Sequence, residues 1–219
     1  MANEGLGTRL RRREDPEMLR GESKFTADVD LTGAAHVAIL HSPIAHGIIK
    51  SIDTSAAARM PGVIRVFTGA DLAGKMMCQV CIWKPAGVES HFPPHPYGLP
   101  GAQTQLATDR VRYQGEWVAA VVAETREQAY AALPAIKVDY QPLPAVTNAE
   151  AALAPGAPQL HETVPGNLCT HVTYGDKAKT DEAIKNADVT VKLKVNIPRQ
   201  IHQAPETRAT LAKYDPATE

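Results

Sequence analysis

The side chains best suited to chemistry stand near the end of the sequence, between Ile201 and Arg208. His202, Glu206 and Arg208 bring an imidazole, a carboxylate and a guanidinium close together, and such groups can transfer protons or bind a polar ligand. The structural alternative is an ion pair between Glu206 and Arg208 with His202 in an ordinary hydrogen bond, and the spacing alone favours it. We therefore assign no catalytic residue and keep these three as candidate binding residues.

The cysteines offer a second possible site. Cys78-Gln-Val-Cys81 has the spacing of a redox motif or of half a zinc site, and His91 and His95 lie nearby. A redox motif of this kind should open a helix after a strand, whereas these residues stand in a stretch rich in Gly, Pro and His. The surroundings favour two loop thiols over a metal site. Together with Cys169, these thiols fit a reducing compartment.

Other chemical motifs are absent from the sequence. Gly5-Leu6-Gly7 lacks the third glycine and the preceding strand of a phosphate loop, and neither a Gly-x-Ser-x-Gly elbow nor a His-Glu-x-x-His pair occurs. His41 and His46 flank Pro43 near a predicted strand end. A metal site needs three or four converging ligands, so we expect these histidines to serve local packing, and we assign no metal ligand.

Composition and charge argue against several classes of partner. The net charge is -1 and basic residues do not cluster after Arg13, which argues against nucleic acid. Aromatic residues make up 5% of the chain, too few for a base-stacking platform. No apolar run approaches the roughly 20 residues that cross a bilayer, and no apolar stretch follows the N-terminal arginines. We therefore expect a cytoplasmic protein with no membrane span.

The stretch from Gly33 to Tyr140 is typical of a compact α/β unit. A short helix is predicted from Ser55 to Met60, capped by Asp53 or Thr54, and a longer one runs from the capping box of Thr125 and Gln128 to about Leu133. The alternation of strand, helix and strand predicts βαβ packing onto a sheet. Strands are predicted over residues 36–40, 48–52, 63–68, 117–123 and 136–140, and regular structure resumes after the insertion at 110–113.

An unusual insertion interrupts this unit between about Leu72 and Gln105. It is rich in proline and glycine and has no sustained periodicity. A structureless loop longer than about 15 residues in a compact domain is usually functional or disordered. Trp83, Phe92 and Tyr97 would be poor choices for a solvated linker. We therefore predict an insertion that packs on another subunit or domain, or that lines an entrance.

The segment after Tyr140 predicts an incomplete second domain. Val189 to Ile197 alternates strictly between apolar and polar residues, which predicts a half-buried strand with 211–215 as its partner. One strand pair and one helix cannot bury much apolar surface, so we expect the rest of this domain to lie elsewhere. The other predicted features are a capped helix over 147–153, a surface linker over 154–167 and a helix over 181–186 capped by Thr180.

Ordered motifs run through nearly the whole chain. They include Arg13-Glu14-Asp15, Leu19-Arg20-Gly21, Phe25-Thr26-Ala27-Asp28, His41-Ser42-Pro43-Ile44-Ala45-His46, Phe67-Thr68-Gly69-Ala70-Asp71-Leu72, the run from Leu106 to Glu116, and Gly156-Ala157-Pro158-Gln159-Leu160-His161. Together they resemble the large subunits of the xanthine dehydrogenase, aldehyde oxidase and carbon monoxide dehydrogenase family, the molybdenum hydroxylases.

The resemblance implies an α+β fold in three parts. These are an N-terminal extension over 1–32, an α/β-hammerhead domain over 33–147, and the first, incomplete segment of a molybdopterin-binding domain over 148–219. The cofactor implied is molybdopterin cytosine dinucleotide, with 2Fe–2S clusters and FAD on partner subunits. The partners implied are the remaining molybdenum-domain chain, an iron–sulfur subunit and an FAD subunit. His202, Glu206 and Arg208 then become candidate cofactor-binding residues near the molybdenum domain.

The resemblance also implies a function and its limits. Such a complex hydroxylates an N-heterocycle or an aldehyde with water-derived oxygen, and this chain is one component that is not active alone. The family's glycine-rich cofactor loop and catalytic glutamate have no counterpart between Met1 and Glu219, and Trp117 stands where the family commonly has proline. The alternative is a non-catalytic hammerhead interaction or scaffold module, and a fragment of a longer protein is a third interpretation. The DNA directly downstream distinguishes the first two.

Overall fold

The computed structural model describes residues 11–29, 31–73, 75, 104–162, 164–168, 175–198, 200–204 and 206–217. The chain divides into two compact units: the first unit is Gly33–Ala187, and the second unit is Met1–Thr32 together with Asp188–Glu219. The interpretation of the insertion between Leu72 and Gln105 concerns residues that lie almost entirely outside this description.

Two antiparallel sheets form the framework of Gly33–Ala187. The described residues form the strands β1 (His36–His41), β2 (Gly47–Asp53), β3 (Val63–Thr68), β4 (Arg110–Val111), β5 (Trp117–Ala123) and β6 (Lys137–Pro142). The first sheet has the strand order β1-β5-β3, and the second has the order β4-β2-β6. Strands β3 and β5 coincide with their predicted bounds, so the alternating residues of β3 and the continuous apolar run of β5 each located a strand.

The helices are short. Across the whole described chain they are α1 (Asp15–Arg20), α2 (Gly69–Leu72), α3 (Arg126–Ala132), α4 (Ala149–Ala152) and α5 (Lys177–Lys185).

The predicted βαβ packing onto one sheet is wrong. Strand β5, helix α3 and strand β6 do follow one another, but β6 pairs with β2 in the second sheet. The reason lies in β5, which is hydrogen-bonded to β1 on one side and to β3 on the other. Because both edges of β5 are occupied, the strand after α3 must pair elsewhere. Helix α3 therefore connects two antiparallel sheets.

Helix α3 begins at the predicted capping box. The backbone N–H of Gln128 donates to Thr125 Oγ1 at 3.2 Å, and the N–H of Thr125 donates to Gln128 Oε1 at 3.0 Å. These two bonds satisfy donors that the first turn of a helix leaves without partners. The helix then packs closely on the first sheet through small residues. Ala129 contacts Ala38 and Ala123 in one buried cluster, while Ala132 belongs to a second with Val121.

Two positions explain why glycine is needed near this core. Gly62 has a φ of +75°, and a Cβ there would lie 2.2 Å from the Gln128 amide, so the turn into β3 requires glycine. A Cβ on Gly69 would lie 2.5 Å from the backbone oxygen of Ala107, so glycine allows the two chain segments to approach.

Three helices differ from their predicted form. Ser55–Met60 contains only a 3-10 turn over Ala57–Arg59, preceded by Asp53, whose Oδ1 accepts the N–H of Ser55 at 2.9 Å. Helix α4 is capped by Asn148, which accepts from two backbone N–H groups, rather than beginning at Thr147. Helix α5 begins earlier than predicted, because Asp176 and not Thr180 accepts the capping bond from Lys179. In each case several capping residues stand close together, and the sequence does not say which one ends the extended chain.

The second unit contains α1 and a long segment after Asp188 whose described residues form neither helix nor strand. Helix α1 ends at Gly21, whose φ of 70° closes the last turn as a left-handed cap. The predicted strands over 189–197 and 211–215 are wrong, since the described residues of Asp188–Glu219 form no strand. A strand forms only where its backbone exchanges hydrogen bonds with a neighbouring strand. No strand of the described chain pairs with the segment after Asp188.

Candidate functional site

The structure gives Glu206 a structural role within its unit. Its Oε1 accepts two hydrogen bonds from Thr26, one from the backbone N–H and one from Oγ1, each at 3.2 Å. The predicted ion pair with Arg208 is not among the ion pairs of the described residues. The carboxylate therefore joins the segment after Asp188 to the 3-10 turn Thr26–Asp28.

His202 and Arg208 do not join Glu206 in a common site. Both are exposed, and among the described residues no hydrogen bond or ion pair engages either side chain. A dinucleotide cofactor needs several N–H donors or cations converging on its phosphates. Between Ile201 and Arg208 only Arg208 is a lysine or arginine. These three residues alone therefore do not fit a complete cofactor site.

Several other predicted site residues fall outside the ranges that the structure describes. Cys78, Cys81, Cys169, His91 and His95 lie outside the described residues.

The two histidines around Pro43 lie within the described chain, and both contact backbone oxygens. His41 Nδ1 lies 2.9 Å from the oxygen of Gly115, and His46 Nδ1 lies 2.7 Å from that of Pro144. A carbonyl oxygen only accepts, so Nδ1 of each ring carries the hydrogen in these contacts.

A cluster of buried polar side chains lies where the chain crosses between the two sheets. Ser42, His46 and Glu116 are 2%, 4% and 5% exposed, and we call them the polar junction. Ser42 and His46 stand in the loop from β1 to β2, and Glu116 directly precedes β5. Each side chain thus belongs to a connection that leaves one sheet for the other.

Glu116 holds the turn that leads into β5. Its carboxylate accepts the backbone N–H of Arg112. Burial raises the pKa of Glu116, and the N–H donors of Arg112 and Tyr113, with the Arg112 charge, offset only part of that effect. The carboxylate is therefore ionised at a cost, which its hydrogen bonds reduce.

Ser42 closes the same crossing from the other side. The backbone N–H of Ser42 donates to the backbone oxygen of Glu116 at 2.8 Å. The backbone oxygen of Ser42 accepts the N–H of Gly115 at 2.9 Å. Its Oγ donates to the oxygen of Ile44 at 2.8 Å. Burial raises the pKa of Tyr140, although a hydrogen bond with Ser42 acts in the opposite direction. The loop and the turn are thus tied together by main-chain bonds.

His46 leaves one polar atom unsatisfied. Its Nε2 is buried and has no hydrogen-bond partner among the described residues. The backbone oxygen of His46 accepts the N–H of Leu143 at 2.9 Å, which together with the Pro144 contact fixes the chain leaving β6. Because the bonds of the polar junction run mainly to backbone groups, its chemistry is that of joining two sheets.

Two arginines extend from this junction to the segment predicted as a surface linker. Arg112 Nε donates to the oxygen of Leu160 at 3.1 Å, and Arg110 contacts Glu162 at the same distance. Asn167 fixes the linker itself by donating to the oxygens of Ala152 and Pro158 at 2.9 and 3.0 Å. The linker is therefore held by the arginines of β4 and of the turn after it rather than free.

Sequence reasoning missed the polar junction, although the signal was present. Ser42 and His46 lie in one of the ordered motifs, and Glu116 ends another. A carboxylate directly before a continuous apolar strand resembles an ordinary exposed turn residue. The burial of Glu116 follows only from the fold, which brings the loop after β1 and the turn after β4 against it.

Within the ranges that the structure describes, no three His, Cys, Asp or Glu side chains converge as metal ligands do. The same ranges contain no helix that is long and apolar enough to cross a membrane.

Comparison with known families gives a match over most of the first unit. Residues 20–144 match the family model described as "Aldehyde oxidase and xanthine dehydrogenase, a/b hammerhead domain". The match contains the polar junction and all six strands.

Known proteins and solved structures show the same similarity. The large chain of carbon monoxide dehydrogenase from Hydrogenophaga pseudoflava is 36% identical over 99% of this chain and 26% of its own length. The structure of quinoline 2-oxidoreductase from Pseudomonas putida 86 is 40% identical, with a TM-score of 0.62 over 74% of this chain and 19% of that one. A Cu,Mo-CO dehydrogenase structure is 32% identical, with a TM-score of 0.63 over 84% and 23%. This chain spans about a quarter of the length of such relatives.

Proposed function

Since the chain belongs to the aldehyde oxidase and xanthine dehydrogenase a/b hammerhead family, we propose that it is the N-terminal part, or a separate N-terminal subunit, of a molybdenum hydroxylase large subunit. In this proposal residues 1–32 are an extension, 33–147 form the hammerhead domain and 148–219 begin the molybdopterin-binding domain. The catalytic residues belong to the rest of that subunit.

The observation that carries the proposal is an apolar row that stays exposed among the residues that the structure describes. Alternate residues between Val189 and Ile197 expose 68% to 85% of their surface. Burying a side chain of this kind stabilises a protein by roughly 1.5–3 kcal/mol, so leaving the row in water is unfavourable. The row consists of Val189, Val191, Leu193, Val195 and Ile197.

The backbone of the same segment supports the same conclusion. Its described residues form neither a helix nor a strand. A segment whose residues alternate between apolar and polar is suited to pairing with a strand of another polypeptide, which supplies both the hydrogen bonds and the cover. We therefore infer that the remaining molybdenum-domain polypeptide receives this segment.

Cofactors and partners follow from the same proposal. One solved relative is a Cu,Mo enzyme by its own description, which supports molybdenum in the assembled complex. We propose molybdopterin cytosine dinucleotide as its form, held mainly by the remaining large-subunit polypeptide. Iron–sulfur and FAD subunits carry the electrons away, and the complex is cytoplasmic. When bound, the molybdenum cofactor supplies the oxidation of the substrate carbon.

For the substrate we propose an N-heterocycle or an aldehyde, hydroxylated with oxygen derived from water. A quinoline oxidoreductase structure among the relatives and the aldehyde oxidase family model support these two classes. The test uses this chain in complex with the polypeptide that the DNA directly downstream encodes. Quinoline, an aromatic aldehyde and carbon monoxide are compared, and turnover of carbon monoxide alone would overturn the substrate proposal.

Assembly has a separate test. The complementary polypeptide is defined as the Hydrogenophaga pseudoflava large chain without the quarter that this chain matches. Both polypeptides are produced in one cell and separated by size. We expect them to co-elute as one complex, with residues 189–197 protected from hydrogen exchange. A free chain with no protection would contradict the proposal and favour a scaffold module.

A further inference from the structure

The first sheet has two faces of very different character. Helix α3 covers the inner face, where Ala38 and Val121 are 1% and 0% exposed. The outer face is the other side of the same three strands. On it Val37 is 57% exposed and Trp117 is 48% exposed.

Strand register fixes which residues share the outer face. Directly opposed residues on neighbouring strands point to the same side of a sheet. One row therefore runs from Val37 through Val122 to Arg65, and the next runs from Ile39 through Ala120 to Phe67.

A bulge continues this face at its end. Between Leu40 and His41 the pairing shifts, so that His41 pairs with Trp117. Val118 and Ala119 are both buried and Trp117 is exposed, as expected when a bulge turns one residue outward. Hereafter the outer face means Val37, Ile39, His41, Arg65, Phe67 and Trp117.

Trp117 is held in place before any partner arrives. The His41 ring lies edge-on to it, with centroids 6.4 Å apart at 90°. His41 in turn is fixed by its contact with the oxygen of Gly115. Exposed tryptophans that are rigid in advance lose little entropy on binding, which is why they are frequent anchors of protein interfaces.

The charge of the outer face selects the partner. The Arg65 guanidinium lies 4.8 Å above the Phe67 ring, and the two rows contain no carboxylate. A surface with a cation on an aromatic ring and apolar neighbours is complementary to an apolar surface that carries a carboxylate. A second copy of the same face offers Arg65 no carboxylate, since its two rows contain none.

We propose that the outer face docks onto the complementary polypeptide, against an apolar surface with a carboxylate opposite Arg65. This inference rests on the proposed function. It is supported by the length of the relatives, since about three quarters of the Hydrogenophaga pseudoflava chain lies outside the part that this chain matches. The outer face contains none of residues 189–197, so this docking surface is separate from the apolar row described above.

The test uses two variants and two matched controls in the full chain. Trp117→Ala removes the anchor, and Arg65→Glu reverses the charge. The controls are Tyr130→Ala and Arg126→Glu, which change a second exposed cation–π pair on α3, with 5.7 Å between guanidinium and ring centroid. The dissociation constant is measured for each variant with the complementary polypeptide, after thermal unfolding has shown that each variant folds.

The expected result is specific to the outer face. Trp117→Ala and Arg65→Glu should weaken binding about tenfold or more, as truncation of an interface anchor does. The two controls should stay within about twofold of the original chain, as peripheral surface changes do. Equal affinities for all five proteins would overturn the inference and leave the proposed function standing. So would equal weakening by the α3 controls, whereas failure of the unchanged chain to bind would contradict the proposed function itself.

Discussion

At the scale of single residues, Glu116 shows how this chain uses buried charge. Its carboxylate is 5% exposed and accepts a backbone N–H of the turn before β5. The Ser42 side chain donates to the backbone oxygen of Ile44 in its own loop, and His46 Nδ1 donates to the backbone oxygen of Pro144 after β6. Polar groups buried in this way specify one arrangement of the two sheets, because any other arrangement leaves them without partners.

The raised pKa of Glu116 predicts how stability depends on pH. The carboxyl group of Glu116 binds its proton more tightly in the folded chain than in the unfolded chain, where its pKa has the ordinary value of 4.5. Its contribution to the free energy of unfolding therefore falls as pH rises from about 4.5 through the folded pKa. Glu116→Gln keeps an acceptor for Arg112 and removes the titration. We expect this variant to lose less stability than the original chain between these two pKa values, measured by urea unfolding.

Other carboxylates act in a different pH range. Hydrogen bonds from the Ser55 side chain lower the pKa of Asp53, and those from the Thr68 backbone lower the pKa of Asp71. The stability that Asp53 and Asp71 contribute is present above pH 3.8 and is lost as the pH falls through the folded pKa.

Identical stability profiles for Glu116→Gln and the original chain above pH 4.5 would show that Glu116 does not cause the loss of stability predicted for that range.

At the scale of elements, capping and strand pattern explain most of the first unit. Helix α3 begins where the Thr125 and Gln128 pair predicts, and β3 and β5 have their predicted bounds. Local signals sufficed in these cases because each is contained in a few neighbouring residues. The pairing of β6 with β2 could not be predicted in this way, since it depends on both edges of β5 being occupied.

The same limits apply to the candidate site. The sequence points to His202, Glu206 and Arg208 because they are close along the chain, but Glu206 bonds to Thr26, far away in sequence. Burial of Glu116 likewise depends on residues that only the fold brings near.

Loss of the Thr125 cap should cost about 1 kcal/mol of unfolding free energy, because Thr125→Ala leaves the N–H of Gln128 without its acceptor. Thr54→Ala is the control, since Thr54 makes no side-chain hydrogen bond among the described residues, and it should change stability by less than about 0.5 kcal/mol. Urea unfolding measures both. Equal losses would mean that Thr125 does not act as a cap.

The apolar row also makes an element-scale prediction. Val191→Asp places a charge on the row, whereas Thr190→Asp places the same charge on the opposite side of the segment. If the row is covered by the complementary polypeptide, the first variant should lose complex formation and the second should largely keep it. Binding measured by co-elution checks this, and equal behaviour of the two variants would argue against pairing through one face.

At the scale of the whole molecule, two features describe a chain prepared for assembly. One is the row from Val189 to Ile197, and the other is the outer face of the first sheet around Trp117. Each belongs to a different unit, and each leaves apolar side chains in water. The family match covers the hammerhead strands, and the relatives continue for about three quarters of their length beyond this part.

We propose that this chain is part of a molybdenum hydroxylase large subunit. The most direct test is the molybdenum content of the complex purified through this chain after production with the complementary polypeptide in cells that make the cofactor. We expect stoichiometric molybdenum in the complex and loss of it when Val191→Asp prevents assembly. A stable complex that contains no molybdenum, or a chain that remains a metal-free monomer, would contradict it.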